Sequence, residues 1–268
     1  MKKLNVLFIC GSANQTTQMM SIADELKAVD KYFTPYYADG LLRFAAERGF
    51  LDFTILGGQF QKESVSLLKS SGRAIDWRGE SRSYDLVVTC SDLIIPNNIR
   101  ASALVLVQEG MTDPENFIYH IVKKLNLPRY IASTSMTGLS DAYNAFCVAS
   151  DEYKSLFINK GVKKEKIVVT GIPNFDNCLM YCNNSFPHKN FVLAATSDTR
   201  ETFRYENRKT FIRKVLNIAQ GREIIFKLHP NENEERARRE IEKLCPNTLI
   251  LHKGNAHEMI ANCDVLIT

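Results

Sequence analysis

No window of this 268-residue sequence approaches the ~18 consecutive apolar residues that a membrane-spanning helix needs. The start mimics a secretory leader for a moment, but its apolar run, Leu4–Cys10, is short and turns at once into Gly11-Ser12-Ala13-Asn14-Gln15. It reads as a first strand, and a cytoplasmic location is expected. Seven cysteines form no close-set framework. Cys10, Cys90, Cys147 and Cys263 lie in or beside apolar runs and read as small buried hydrophobes of a reduced compartment. Cys178 and Cys182 lack the second pair that a zinc knuckle needs, so no metal is expected. Charge of one sign is also scarce: 34 Lys and Arg against 30 Asp and Glu give +4. That excess is too small to argue for nucleic acid. It suits an anionic ligand or a negatively charged membrane surface, or else scattered surface lysines. There is no fixed-period repeat, no low-complexity tract, no G-x-G-x-x-G and no Walker A lysine.

What is present is an alternation of short apolar runs with amphipathic stretches. Strands are expected at Leu4–Cys10, Asp52–Leu56, Leu86–Thr89, Ala103–Val107, Phe146–Ala149 and Lys166–Thr170. Helices are expected after Gly11–Thr17, at Gly40–Gly49, at Pro114–Leu125 and at Asp151–Lys160. A linker, 171–190, contains Pro173 and Pro187 and lacks clear periodicity. A second series then runs Phe191–Thr196, Asn207–Ala219, Ile224–Leu228, Glu232–Leu244, Thr248–Leu251, Glu258–Asn262 and Asp264–Thr268. The expected fold is α/β with mainly parallel sheets: a Rossmann-like domain over 1–170 and a second over 191–268. The last strand-like run reaches Thr268, so the second domain is expected to be truncated.

In open parallel sheets, ligands bind beyond the carboxyl ends of the strands. Lys227-Leu228-His229-Pro230 ends such a strand, and Asn231 is expected to cap the following helix, with Glu234 completing a capping box. A lysine, a histidine and free helix amides together suit a phosphate; the plainer reading is a strand-ending turn. Glu109, in Gln108-Glu109-Gly110, follows another strand and could take a proton from an attacking hydroxyl, or be an ordinary turn glutamate. The loop containing Gly11, Ser12, Asn14 and Thr16 could contact a sugar or phosphate, or be a routine turn. Thr196, Ser197 and Asp198 open the second domain in the same way. Asn255 to Glu258 reads as a capping box, with Glu258 also a candidate donor contact. His257 contacts a base or sits on the surface. The aromatic run Tyr32–Tyr37 lines an acceptor pocket or packs in the core. The basic helices at Arg208–Lys214 and Arg236–Lys243 are most simply solvated faces, peripheral membrane contact being the alternative.

The stretch Val148-Ala149-Ser150, Phe157, Gly161 and Lys166 to Asp176 resembles the domain junction of GT-B glycosyltransferases. It is similar in particular to the UDP-N-acetylglucosamine 2-epimerase and CDP-glycerol glycerophosphotransferase relatives. The Lys-x-His-Pro segment and the closing Met259 to Thr268 also look like that superfamily's second domain. The His229-Pro230 pair is similar to the His-Pro motif of bacterial sialyltransferases, whose acidic-acidic-Gly partner has Gln108-Glu109-Gly110 as its nearest match here. The epimerases carry His-Leu-Asn-Pro-Asn at this strand end, so Lys227 stands where they have their catalytic histidine and His229 where they have asparagine. The superfamily places a Ser/Thr-rich phosphate-binding loop beyond the position of Thr268.

The resemblance implies a nucleotide-linked donor between two Rossmann-like domains, held mostly by the second. The expected function is transfer of a sugar or polyol phosphate from that donor to the hydroxyl of a carbohydrate or polyol acceptor, in cell-envelope glycan synthesis. Glu109 and His229 are the expected catalytic pair. No cofactor, metal or nucleic acid is expected. The alternatives are a 2-epimerase and a nucleotide-sugar-binding protein without turnover.

Overall fold

Alternate residues of the first strand fall into two different cores. In the computed structural model, which describes residues 3–201 and 205–268, β1 (Leu4–Cys10) sends Val6, Phe8 and Cys10 to one side and Leu7 and Ile9 to the other. That is the period of two of a strand buried on both faces. The first side packs on Met19 and Ala23 of α1 (Ala13–Glu25) and on Leu68 of α3 (Gly58–Ser70). The second packs on Phe157 of α5 (Asp151–Lys160), with Phe146 meeting Phe157 at 4.6 Å between ring centroids. Helices on both faces of a parallel sheet follow from this pattern.

The chain divides into two units, Met1–Asp176 and Asn177–Thr268. The first holds β1, α1, β2 (Val29–Pro35), α2 (Gly40–Glu47), α3, β3 (Leu86–Thr89), β4 (Ala103–Val107), α4 (Phe117–Leu125), β5 (Ala145–Val148), α5 and β6 (Ile167–Val169). Its six strands are all parallel, in the order β2-β1-β3-β4-β5-β6. The order reverses between β1 and β3, which is where a doubly wound sheet opens a crevice at its carboxyl end.

The second unit holds β7 (Val192–Ala195), α6 (Arg208–Ala219), β8 (Ile224–Lys227), α7 (Glu234–Leu244), β9 (Leu249–Leu251), α8 (Ala256–Asn262) and β10 (Val265–Ile267). Its parallel order is β10-β7-β8-β9, with the reversal beside β7. Val192, Ala194, Phe226 and Leu228 pack on Ile212 and Val215 of α6 and on Ala237 and Ile241 of α7. Leu193 and Ile225 face the other way, against Met259 of α8. The α/β class and the two Rossmann-like units are those expected.

Three local expectations are corrected and one is filled in. Residues 52–56 form turns, not a strand. The carboxylate of Asp52 instead accepts the amide of Gly58 at 3.0 Å and starts α3, which the sequence reading did not anticipate. The aromatic run packs in the core, as one of its two readings had it, with Phe33, Tyr36 and Tyr37 buried; part of it is the edge strand β2, paired with β1 from Leu4↔Val29 to Cys10↔Pro35. Helix α4 starts at Phe117, because Asn116 caps it by accepting from the amide of Tyr119. Helix α7 is capped by Asn233, which accepts from the amide of Arg236, and not by Asn231.

Candidate functional site

In the first unit the loop after β1 and the end of β4 meet over the end of β3. The Ser12 hydroxyl caps α1 by accepting from the Gln15 amide at 3.2 Å, which fixes the loop against its helix. The Glu109 carboxylate lies beside that helix start. Its Oε1 accepts from Ser12 Oγ (3.2 Å) and Asn14 Nδ2 (3.0 Å), and its Oε2 accepts from Gln15 Nε2 (2.6 Å). A carboxylate offers about four lone-pair sites; donors among the described residues take three, which leaves one on Oε2. Negative charge at a helix N-terminus is also favoured by the helix dipole. The structure therefore brings together Ser12, Asn14 and Glu109 of the expected set.

Two neighbours missed by the sequence reading complete this cluster. Gln15 lies over Gly11, where a Cβ would come within 1.9 Å of its Oε1. Asn174, from the turn Pro173–Phe175, donates to the carbonyl (3.0 Å) and the Oδ1 (2.7 Å) of Asn14. Thr16 does not join them. It is fully buried, and its hydroxyl is spent on the Ser12 carbonyl (2.8 Å) and on Ser64 of α3 (2.9 Å), so its expected sugar contact is corrected to a structural one.

Gln108 explains the glutamine in the acidic-acidic-Gly position. It is 1% exposed. Its Nε2 donates to the Gly110 carbonyl (2.8 Å) and its Oε1 accepts from the Ala149 amide (2.9 Å), tying the ends of β4 and β5. Beneath the cluster, burial pushes the Cys90 thiol well up, with the Glu109 charge adding to it, and the Cys10 thiol up to about 12.

In the second unit the site forms after β7 and β8. The His229 amide donates to Thr196 Oγ1 (3.2 Å), and that hydroxyl donates to Glu232 Oε2 (2.5 Å). The Glu232 amide closes the turn on the His229 carbonyl at 3.0 Å. The half-exposed imidazole accepts from the Asn231 amide at Nδ1 (3.2 Å) and lies 3.7 Å from Asp198 Oδ2. Asn231 Nδ2 donates to the same Asp198 oxygen at 3.3 Å. Ser197 is exposed, its hydroxyl 2.6 Å from that of Thr199. His229, Asn231 and Asp198 thus form one polar cluster, half-buried to exposed, with Thr196 buried under the His229 amide; Ser197 stands next to Asp198 in the chain and bonds to Thr199.

Lys227 departs from expectation. It is 7% exposed, and its ammonium donates to the carbonyls of Leu228 (2.9 Å) and His252 (3.0 Å). Burial lowers its pKa. It anchors the strand end from below and does not reach out to a ligand. Glu258 stands in the first turn of α8, where its Oε1 accepts from Asn255 Nδ2 at 3.1 Å. His257 stacks on Tyr181, with ring centroids 4.7 Å apart.

The residue that sequence reasoning missed here is Glu232, whose side chain is fully buried between Arg208 Nη2 (2.7 Å) and Arg200 Nη2 (3.2 Å). The signal available was an acidic residue inside the turn, with arginines at 200 and 208 able to neutralise it. His252 was missed as well: Nδ1 faces Glu234 Oε2 at 2.8 Å and Nε2 faces the Pro230 carbonyl at 3.1 Å, so it braces the same turn. Among the described residues, no group of three or more His, Cys, Asp or Glu side chains is placed to hold a metal ion. No helix of the described residues is long and apolar enough to cross a membrane.

No family profile matches the sequence, and no curated protein aligns with it significantly. Solved structures do match. A UDP-N-acetylglucosamine 2-epimerase aligns over 99% of this chain and 73% of its own, with TM-score 0.53 and 14% identity. The Neisseria meningitidis UDP-GlcNAc 2-epimerase, solved with UDP-GlcNAc, aligns over 98% and 77%, with TM-score 0.54 and 13% identity. S. aureus MnaA, solved with UDP, aligns over 99% and 73%, with TM-score 0.52 and 12% identity. At such identities the likeness is one of fold. The chain has the GT-B type of fold seen in these proteins, two Rossmann-like units in one polypeptide.

Proposed function

We propose that this chain uses a nucleotide-activated donor and transfers its sugar, or its polyol phosphate, to a hydroxyl acceptor. The observation that supports this reading most is Glu109: a carboxylate fixed by three hydrogen bonds at a strand's carboxyl end, with one lone-pair site left on Oε2 by the donors among the described residues. Such a group is oriented to receive a proton. In the sugar case the acceptor O–H proton goes to Glu109 Oε2, the acceptor oxygen attacks the anomeric carbon, and the bond to the donor phosphate breaks. The phosphate leaves with the electron pair, and the configuration at carbon inverts.

The second unit supplies the anion site. His229, Ser197 and Asn231 donate to the donor phosphates. Asp198 and Glu258 accept from ribose hydroxyls. Thr196 and Lys227 keep the turn in place. That the N. meningitidis and S. aureus proteins were solved with UDP-GlcNAc and UDP supports a uridine nucleotide as the first donor to try. The acceptor in this reading is a carbohydrate or polyol of a cell-envelope glycan, made on the cytoplasmic side with peripheral membrane contact. A 2-epimerase is disfavoured because Lys227, at the position of that family's catalytic histidine, is held on two carbonyls.

The test is the Glu109→Gln variant of the protein, assayed with UDP-sugars and a panel of polyol and sugar acceptors. Loss of a general base costs about 10²–10⁴-fold in turnover, while the stabilisation conferred by UDP should be unchanged. Transfer at the wild-type rate would remove the base assignment. An inverted sugar formed without any acceptor would establish the epimerase instead.

A further inference from the structure

The first unit has a cavity that the proposed reaction does not use. It measures about 190 Å³ and opens at the end of β2, between α2, α3 and the turn Trp77–Gly79. Its walls include Tyr36, Tyr37, Arg43, Glu47, Gln61 and Trp77. The volume is below the ~300 Å³ at which pockets for drug-sized molecules begin, so it takes a single ring. The hydroxyls of the two tyrosines are already committed, Tyr36 to the Ile94 carbonyl (2.8 Å) and Tyr37 to Asn98 (3.3 Å). What they offer the cavity is apolar surface.

The polar part of the wall is an ion-paired group. Arg43 Nε (3.1 Å) and Arg78 Nη2 (2.5 Å) both bond to Oε1 of Glu47. One outer nitrogen of Arg43 also lies 3.6 Å from Glu80 Oε1; that leaves Glu47 Oε2 to accept, and the remaining guanidinium N–H groups and the Gln61 amide to donate and accept. With both cations already paired to a carboxylate, the wall is a poor phosphate site. Trp77 is 55% exposed, yet its turn is rigid: Arg78 has φ +60°, its amide donates to Thr34 Oγ1 (2.9 Å), and Asn98 holds its carbonyl (2.8 Å). The half-exposed indole therefore stands on an anchored turn and presents a fixed apolar face to the cavity.

We infer that this cavity binds one sugar ring, either a free monosaccharide or the terminal unit of a glycan, with its apolar C–H face against aromatic surface and its hydroxyls on Glu47, Gln61 and the arginines. The assignment holds whether or not the second unit binds a nucleotide. Trp77 is the chain's single tryptophan, so intrinsic fluorescence reports on the cavity directly. The whole protein is titrated with glucose, galactose, N-acetylglucosamine and N-acetylneuraminic acid, with chitotriose as the glycan-end arm and glycerol as the blank. The expected result is a saturable change in Trp77 emission with at least one sugar. Saturation by N-acetylglucosamine assigns a free ring, and saturation by chitotriose alone assigns a glycan end. Glu47→Gln should weaken that response about tenfold or more, as loss of a hydrogen bond to a charged group does. Gln61→Ala should weaken it as well. A linear change matching glycerol for every sugar overturns the inference, as does a saturable change that neither variant alters. His229→Ala should abolish stabilisation by UDP and leave the sugar titration intact, so failure of one reading is not mistaken for failure of the other.

Discussion

Replacing Glu232 with glutamine removes the negative centre of a buried ion network. Its side chain is fully enclosed, 2.7 Å from Arg208 and 3.2 Å from Arg200, and the Arg208 side chain is itself only 3% exposed. Removing one partner of a buried pair costs about 3–5 kcal/mol when the other charge is stranded. Here neither arginine is stranded, because Arg208 keeps Glu206 at 2.7 Å and Arg200 keeps Glu240 at 2.8 Å. Each loses one charge-assisted bond and retains another, so the cost should fall lower, at about 2–3 kcal/mol. For a cooperative unit the size of Asn177–Thr268 that corresponds to a drop in Tm on the order of 10–20 °C. Far-UV circular dichroism in urea follows both units, while Trp77 emission follows the first alone, so the loss should appear in the dichroism and spare the fluorescence transition. Glu232→Leu combined with Arg208→Met should recover much of the loss, since an apolar pair of similar volume can replace buried charges. A Glu232→Gln protein within about 0.5 kcal/mol of wild type, the range of an ordinary surface change, would refute the reasoning.

Three further outcomes are expected. Burial lowers the Lys227 pKa from its ordinary 10.5, so between the lowered and ordinary values the unfolded chain binds more protons than the folded one. Stability therefore rises with pH across that window and is lost as pH falls through the folded value; Lys227→Met should flatten this rise in urea unfolding measured as a pH series, and an unchanged slope would count against it. Gly11→Ala should displace Gln15 from Glu109 and cost about 1–2 kcal/mol, yet cost nothing in a Gln15→Ala background, a coupling that a double-mutant cycle of denaturation midpoints reads out. Alkylation followed by mass spectrometry should label the exposed Cys178 and Cys182 first and leave the buried Cys10 and Cys90 untouched until the protein unfolds.

The strands legible in the sequence were those buried on both faces. Ala103–Val107 is an unbroken apolar run and Leu86–Thr89 is apolar up to its last residue, and the structure gives both the same bounds. The edge strand β2 was not legible, because Asp30 and Lys31 interrupt its apolar pattern at the edge of the sheet. Asp52–Leu56 misled in the other direction. Phe53, Thr54 and Ile55 favour strands, but the pairing that strand propensity needs is absent, and Phe53 is 79% exposed in a turn. In the candidate sites, residues at strand ends could be placed by position alone, which is how Glu109 and Ser12 came to stand together. What position could not supply was side-chain direction. Lys227 and Thr16 lie at the expected points of the chain but turn inward, because each finds backbone carbonyls to bond there. The reverse holds for Glu232, a charged residue that sequence statistics place at the surface and two arginines draw inside.

The carboxamide of Gln108 gives with one end and takes with the other, and a glutamate of equal length can only take. Ionised at that position it would confront the Gly110 carbonyl with a second oxygen, in a place sealed from water. Introducing a second acid ahead of Glu109 by a single exchange would therefore loosen the seam between two neighbouring strands. Any protein engineer wishing to install the paired-acid signature here would need to rebuild the Gly110 bend at the same time.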